Sequence, residues 1–419
     1  MTAFQTVPLS KVARLFSGGT PRKTQPKLWD GRVPWLTPKD MGRWTGETDQ
    51  SVATEAIGNG TRLAPAHSSF VAVRGMSLHT EIRVVFSDTP LTFNQDIKAV
   101  VANNGIDPHF LYYALLANRT QLLERVSAAG HGTGVLSTDR LVSLPIPDVP
   151  FEEQQMLANL LMGLDEKIEL NQRLNEALEA MAQAIFRDWF VDFGPVRRKI
   201  EGATDPVAIM GGVTTDPARA AELAALFPDE LGLEGLPEGW ELRPLRDSLV
   251  LQRGFDLPKP DRTDGAYPVI AASGPNGMHN EYKVRAPGVC TGRSGVLGNV
   301  FLVHQDFWPL NTSLWVKEFP RSTPIYAYHL LRGLDLQSYN AGSAVPTLNR
   351  NHVHEVNVVT PPMPAIARFD DLAASLYQLV DHNLSENLTL VDSRDYLLPR
   401  LMSGEVRIWE AEARKQAAE

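Results

Sequence analysis

Cysteine is almost absent from this sequence. Cys290 stands alone among 419 residues, which excludes a disulfide framework and suits a reducing compartment. Long apolar runs are missing too. Nothing approaches the roughly 18 consecutive residues of a spanning helix, and the opening MTAFQTVPLSKVARLF has neither an extended apolar core nor a cleavage-like site. The chain is therefore expected in the cytoplasm. There is no GxxxxGK[ST] phosphate loop, so no nucleotide-driven motor is expected. His352 and His354 flank a single valine, and on a strand they would share a face. No Cys/His/Asp group joins them, so they read as surface polar residues and no metal site is expected. His131 in HGTGV looks like an oxyanion loop, but no nucleophile elbow accompanies it, and Ser294 in GRSG lacks the GxSxG spacing.

Positive charge is in deficit overall, with a formal net charge of −9. Its distribution says more than its total. Residues 1–150 hold 15 Lys/Arg against 12 Asp/Glu, and residues 236–363 hold 12 against 11. Residues 151–195 hold 3 against 9 and residues 364–419 hold 6 against 10, so the acid lies in the helical segments. The two mixed regions are neutral to slightly basic, which permits local contact with a polyanion without demanding it.

What is present in abundance is self-similarity. GHGTGVLSTDRLVSLPIPDVP at 130–150 is answered 212 positions later by GSAVPTLNRNHVHEVNVVTPP at 342–362. The same shift runs on through a long helical pattern. Leu157, Leu164, Asn171, Leu178 and Ile185 recur every seven residues, matched by Phe369, Leu376, Asn383, Leu390 and Leu397. The flanking positions agree: Leu160 with Leu372, Ile168 with Val380, Asn175 with Asn387. Such spacing gives one apolar stripe per helix, and two stripes in one chain most simply pack on each other. Amides in a seam cost stability unless paired, and they fix register. Asn171, Asn175, Asn383 and Asn387 are thus the expected register pins. Asn171, at the midpoint of its helix, is expected beside Asn383 in an antiparallel pair.

The stretches before each helix correspond more loosely: 7–19 with 242–254, VAVRGM at 71–76 with CTGRSG at 290–295, and LTFNQDIKAVV at 91–101 with PLNTSLWVK at 309–317. They are strand-like, with short Val/Ile/Phe runs and Asn-Gly turns. The expected architecture is α+β. Two globules, 1–150 and 237–363, are related by a pseudo-twofold axis and separated by two long antiparallel helices, 151–193 and 364–404, that form a coiled coil. A Gly/Pro/Asp-rich linker, 194–236, carries one helical piece at 217–227, and a tail spans 405–419.

Several stretches in combination carry a family resemblance: SGGTPRKTQPKLWDGRVPWLTPKDM (17–41), LTFNQDIKAV (91–100), LSTDRLVSLPIPDVPFEEQQMLANLLMGLDEKI (136–168), LPEGW (236–240) and LLPRLMSGEVRI (397–408). Their order resembles the specificity subunit of type I restriction-modification enzymes along nearly the whole chain. The second copy departs from the pattern, with PAIARF where the first has the Glu-Gln approach to its helix. The resemblance implies that each globule reads one half of a bipartite sequence in double-stranded DNA. It implies that the helices space the globules and dock two methyltransferase subunits, and that motor-nuclease subunits join for cleavage. It also implies no catalysis and no cofactor on this chain: S-adenosylmethionine, and ATP with Mg for restriction, would sit on partner subunits. Accordingly, Thr360-Pro361-Pro362-Met363 has the wrong ends for an amino-methyltransferase motif and reads as a strand-to-helix break. A helix of about 40 residues spans about 60 Å, which at about 3.4 Å per base pair bounds the gap between half-sites at roughly 17 base pairs.

Base reading needs Arg, Lys, Asn, Gln, Ser or Thr on exposed loops. The candidates in the first globule are Thr20, Arg22, Lys23, Arg74, Asn94 and Gln95. In the second they are Arg253, Ser273, Asn276, Arg293, Ser294, Asn311 and Thr312. Phe186, Trp189 and Phe190 crowd the end of the first long helix and are candidate anchors for a partner subunit. A rival reading of the same features is a coiled-coil scaffold holding two protein-binding globules, and the acidic total suits it.

Overall fold

Helices α1 (Pro108–Ala117), α2 (Thr138–Val142) and α3 (Phe151–Phe190) of the first copy recur as α4 (Pro324–Gly333), α5 (Arg350–His354) and α6 (Met363–Ser403) of the second. The computed structural model describes residues 4–129, 133–232, 234–342 and 344–407. His131 and most of the 405–419 tail lie outside the described residues. The chain divides into two compact units, Met1–Leu170 with Glu386–Glu419, and Asn171–Ser385. No described helix is long and apolar enough to cross a membrane.

In the first unit a four-stranded antiparallel sheet runs in the order Ala13–Ser17, Ile97–Ala102, Ser68–Ala72, Val84–Ser87. Val33–Leu36 lies parallel to Leu91–Phe93 beside it. Thr6–Pro8 pairs with Pro145–Pro147, the strand that leads into α3. The main core gathers Leu9, Phe110, Leu141, Leu157 and Leu161 with Leu398, Leu401 and Met402 from the far end of α6.

The second unit repeats this plan. Its four-stranded sheet runs Val250–Arg253, Ser313–Glu318, Gly288–Gly292, Val300–Val303. Tyr267–Ala271 lies parallel to Trp308–Pro309, and Glu241–Pro244 pairs with Asn357–Thr360 ahead of α6. The α+β reading holds for both units.

Hydrogen bonds fix which residues are equivalent. Leu9 N bonds the Leu144 carbonyl and Leu245 N the Val356 carbonyl, each at 2.8 Å. Val73 and Arg74 both donate to the Asp96 carbonyl, and Arg293 and Ser294 both donate to the Thr312 carbonyl. Lys98 faces Ser17 and Val71, whereas Leu314 faces Arg253 and Thr291. The alignment read from the sequence is therefore one residue out in these strands. Arg74 corresponds to Ser294 and not to Arg293, and Gln95 corresponds to Asn311. From Leu136 onward the shift of 212 is correct.

Within each unit the long helices run antiparallel. In the first, Asp165 Oδ1 accepts from Arg394 Nη1 at 2.7 Å and the Ile168 carbonyl accepts from Asn387 Nδ2 at 3.3 Å. In the second, Asn383 Nδ2 donates to Asn175 Oδ1 at 2.8 Å, with both side chains buried. The heptad midpoint points to Asn171 as the partner of Asn383; this bond goes to Asn175, one turn further along. Asn171 is itself buried. Leu160 is 40% exposed and Leu161 is buried in its place, so the seam leaves the heptad register near the start of α3.

Three further expectations change. The 194–236 segment is not a bare linker: Gly194–Ile200, Pro206–Ile209 and Pro217–Ala224 are short helices. Their Val196, Ile209 and Leu223 join the main core of the second unit. His352 and His354 lie on helix α5 and not on a strand, and His354 Nε2 accepts from Leu251 N at 2.9 Å. Phe186, Trp189 and Phe190 are buried in the second unit's core against Tyr326, Phe227, Trp240 and Phe369, so they serve as core packing and are not an exposed anchor.

The missing Glu-Gln of the second copy has a structural counterpart. In the first unit Asp107 caps α1 by accepting from Phe110 N at 2.9 Å. Gln154, buried in the approach to α3, accepts from Asp107 N at 2.9 Å and donates to the Val149 carbonyl. In the second unit Thr323 takes the place of Asp107 and Ile366 that of Gln154. Asp370, on α6, supplies the carboxylate instead: its Oδ1 accepts from Thr323 Oγ1 at 2.6 Å and from Tyr326 N at 3.2 Å. One unit caps its helix from the preceding residue, and the other from the long helix that packs on it.

Candidate nucleic-acid interface

The candidate residues of the first unit gather where three backbone segments meet. Gly18 lies so close to the 93–94 turn that a Cβ there would sit 2.2 Å from the Asn94 carbonyl oxygen. Gly19 N bonds the Phe93 carbonyl at 2.9 Å, and Trp35 Nε1 holds the Gly19 carbonyl at 3.1 Å. The loop leaving this point is thereby pinned, and Thr20 Oγ1 meets Gln95 Oε1 at 2.5 Å. Arg74 joins through the bonds of its strand to Asp96. The Asp96 carboxyl is pushed up by burial while the Arg74 charge pulls it back. Thr20, Arg74 and Gln95 are exposed and close in this framework, and Arg22 and Lys23 are exposed on the loop that follows.

Asn94 does not belong with them. It is buried, its Oδ1 accepts from Asp96 N at 3.0 Å and its Nδ2 faces Asp96 Oδ2 at 3.4 Å. It shapes the turn that presents Gln95, and is not available to a base edge.

In the second unit Gly254 occupies the place of Gly18, with the Leu310 carbonyl 2.2 Å from an added Cβ. Asn311 donates through Nδ2 to Asp256, and Arg253 Nη2 lies 3.7 Å from the same carboxylate. Arg293 Nη1 donates to the Asn311 carbonyl at 3.2 Å. Thr312 holds the framework: its carbonyl takes two amides, and its Oγ1 accepts from Ala272 N at 3.4 Å. Ser294 bridges to Thr347. Ser273 is exposed at the hairpin between Tyr267–Ala271 and Gly274–His279. Asn276 sits on the second of those strands, where its Oδ1 accepts from Arg262 Nη1 at 3.0 Å.

Sequence reasoning missed Arg350. It follows the Asn349 cap of α5, is exposed, and lines one pocket with Arg253 and Arg293. The shift of 212 could have found it, since that shift sets Arg350 against Thr138.

The units present two versions of one framework with unlike side chains at equivalent points: Arg74 against Ser294, Gln95 against Asn311, Val73 against Arg293. Among the described residues no group of three or more His, Cys, Asp or Glu could hold a metal ion.

Known proteins share this organisation. Residues 1–180 match the family described as Type I restriction modification DNA specificity domain. The MjaIX specificity subunit of Methanocaldococcus jannaschii is 23% identical over 96% of this chain and 93% of its own length. The HindI specificity subunit of Haemophilus influenzae is 27% identical over 82% of this chain and 89% of its own. The crystal structure of a type I restriction-modification S subunit from M. genitalium shares the fold. It has a TM-score of 0.56 at 17% identity and covers 96% of this chain and 99% of that one. Residues 1–180 thus match the type I restriction modification DNA specificity domain family, and along nearly its whole length the chain is similar to type I specificity subunits.

Proposed function

We propose that the chain is the noncatalytic DNA-recognition subunit of a type I restriction-modification complex, each unit reading one half of a split target. The observation that carries this reading is the repeat itself. Hydrogen-bonded frameworks recur residue for residue, while the exposed side chains they present differ. Two unlike half-sites read by one inherited fold require that combination. Base contacts specify and phosphate contacts position, and Gln or Asn in the major groove suits adenine, as Arg suits guanine. Gln95 and Arg74 in the first unit, and Ser273 in the second, are the exposed groups best placed for base edges.

The same reading gives the long helices a docking role toward methyltransferase subunits. With Phe186, Trp189 and Phe190 buried, the candidates are the apolar residues left exposed on the helices. These are Leu170, Leu388 and Tyr396 in the first unit, and Leu174, Met181 and Leu384 in the second. S-adenosylmethionine, and ATP with Mg, would then be held by partner subunits, and the complex would act in the cytoplasm.

The test is direct. The chain, copurified with its methyltransferase subunits, is offered duplexes whose candidate site comes from mapping methylated adenines with and without this gene. Sequence-selective binding that weakens when either half-site is scrambled is the expected result. Equal binding to every duplex would remove the proposal, and tight binding of a protein in place of DNA would favour the scaffold reading.

A further inference from the structure

The pocket shared by Arg253, Arg293 and Arg350 has a volume of about 440 Å³, and Thr347, Asn349 and Asn351 complete its polar wall. Three guanidinium groups around one hollow repel one another unless an anion sits among them. Arg253 is partly neutralised by Asp256 at 3.7 Å. Among the described residues, Arg293 and Arg350 make no ion pair, and Arg350 is exposed.

Among the described residues of the first unit, the three equivalent positions carry no charge. By the strand and helix equivalences above, Arg253 corresponds to Ser17, Arg293 to Val73 and Arg350 to Thr138. Lys98 reaches one of these positions, its Nζ donating to Ser17 Oγ at 2.5 Å. Leu314, the counterpart of Lys98, is buried. At these three positions, which are far apart in sequence and converge in the fold, only the second copy carries charge.

We propose that this pocket is a seat for a phosphodiester of the DNA backbone, so that the second unit carries a three-arginine grip where the first has Ser17, Val73 and Thr138. The inference rests on the DNA-recognition reading and deepens it. Guanidinium forks match phosphate oxygens bidentately. A phosphate contact fixes position without reading sequence, and each phosphate neutralised releases counterions, with a log–log salt slope of about −0.9 per contact. Arg293 and Arg350 are the principal donors, with Arg253 held back by Asp256.

The experiment uses the full chain in complex with its methyltransferase subunits. Dissociation constants are measured between 50 and 300 mM salt for the methylation-mapped duplex and for duplexes scrambled in either half. Arg350→Gln and Arg293→Gln are each expected to flatten the slope by up to about 0.9 and to weaken binding up to about eightfold near 0.1 M salt. The ratio between matched and scrambled duplexes should not change. Arg350→Lys should retain the slope, and Thr138→Ala in the first unit should not alter it. Inorganic phosphate added to the parent complex at constant ionic strength should compete weakly, and less so with Arg350→Gln. Unchanged slopes in both Gln variants overturn the proposal. So does a selective loss of discrimination at one base pair of the second half-site, which would make these arginines base readers. If the parent complex shows no sequence preference, the functional reading fails, while the slopes still report on the pocket. Copurification of the Gln variants with the methyltransferase subunits separates a lost contact from a misfolded chain.

Discussion

Asn383 donates a 2.8 Å hydrogen bond from its side-chain amide to that of Asn175, and both residues are buried between antiparallel helices. An amide at such a point is costly alone and tolerable only when matched. Asn175→Ala or Asn383→Ala should each lower the stability of the second unit by about 1–3 kcal/mol, because the surviving amide has no partner. The Asn175→Ala/Asn383→Ala double variant should lose less than the sum of the two single losses. Urea unfolding of the four proteins as a double-mutant cycle checks it, and strictly additive losses would contradict the pairing.

Trp189 is buried among Phe190, Phe227 and Phe369. Trp189→Ala should cost about 3–5 kcal/mol, and thermal unfolding should report it whether or not a methyltransferase subunit is present. Leu388, 70% exposed on α6, is the contrasting case. Leu388→Glu should shift stability by less than about 0.5 kcal/mol yet weaken assembly with the methyltransferase tenfold or more, as calorimetric titration would read.

Gln154 serves two backbone partners from a buried position. Gln154→Ala strands the Asp107 amide and the Val149 carbonyl, and should destabilise the first unit by about 1–3 kcal/mol. Hydrogen exchange at the first turn of α1 should rise most. Uniform protection loss across the unit would argue against a local role.

Two titrating groups in the second unit oppose each other. Burial pushes the Asp370 carboxyl up to about 6, against its bonds from Thr323 and Tyr326. Burial, followed by the Arg332 charge, pushes His329 down to about 3. His329 faces Gln183 Oε1 at 2.9 Å through Nδ1 and the Tyr377 hydroxyl at 3.0 Å through Nε2. The Gln183 oxygen only accepts, so Nδ1 carries a proton, and burial keeps the imidazole neutral. A raised carboxyl keeps a proton when folded that the unfolded chain has released, so its contribution falls as pH rises from about 4 to 6. A depressed imidazole does the reverse, its contribution rising with pH from about 3 to 6.5. Asp370→Asn should therefore gain stability over the parent between pH 4 and 6, and His329→Asn should lose it. Urea midpoints at pH 4, 5 and 6 decide the matter. Parallel curves for Asp370→Asn and the parent would contradict the assignment.

The long helices were legible because a seven-residue apolar repeat carries across forty positions, and a single substitution does not erase it. The strands ahead of them were not. Arg74 and Arg293 align by eye because a one-residue slip costs little in a run of five or six residues, yet it reverses which side chains face outward. The fate of Phe186, Trp189 and Phe190 was hidden for another reason. Their cover comes from 194–236, where helices of four to eight residues are too short to print a period. Arg350 stood at an equivalence already visible, but its neighbours Arg253 and Arg293 are about a hundred and about sixty positions away, and only the fold brings them to one hollow.

The first unit takes Leu398, Leu401 and Met402 into its core, and Phe4 N bonds the Ser403 carbonyl at 3.0 Å. On the ribosome those residues are made after all of Asn171–Ser385. The whole of Asn171–Ser385 has left the exit tunnel before the globule translated first can obtain its final wall. The order of synthesis and the order of completion are thus reversed: the early half waits, with apolar surface uncovered, for the chain to return to it.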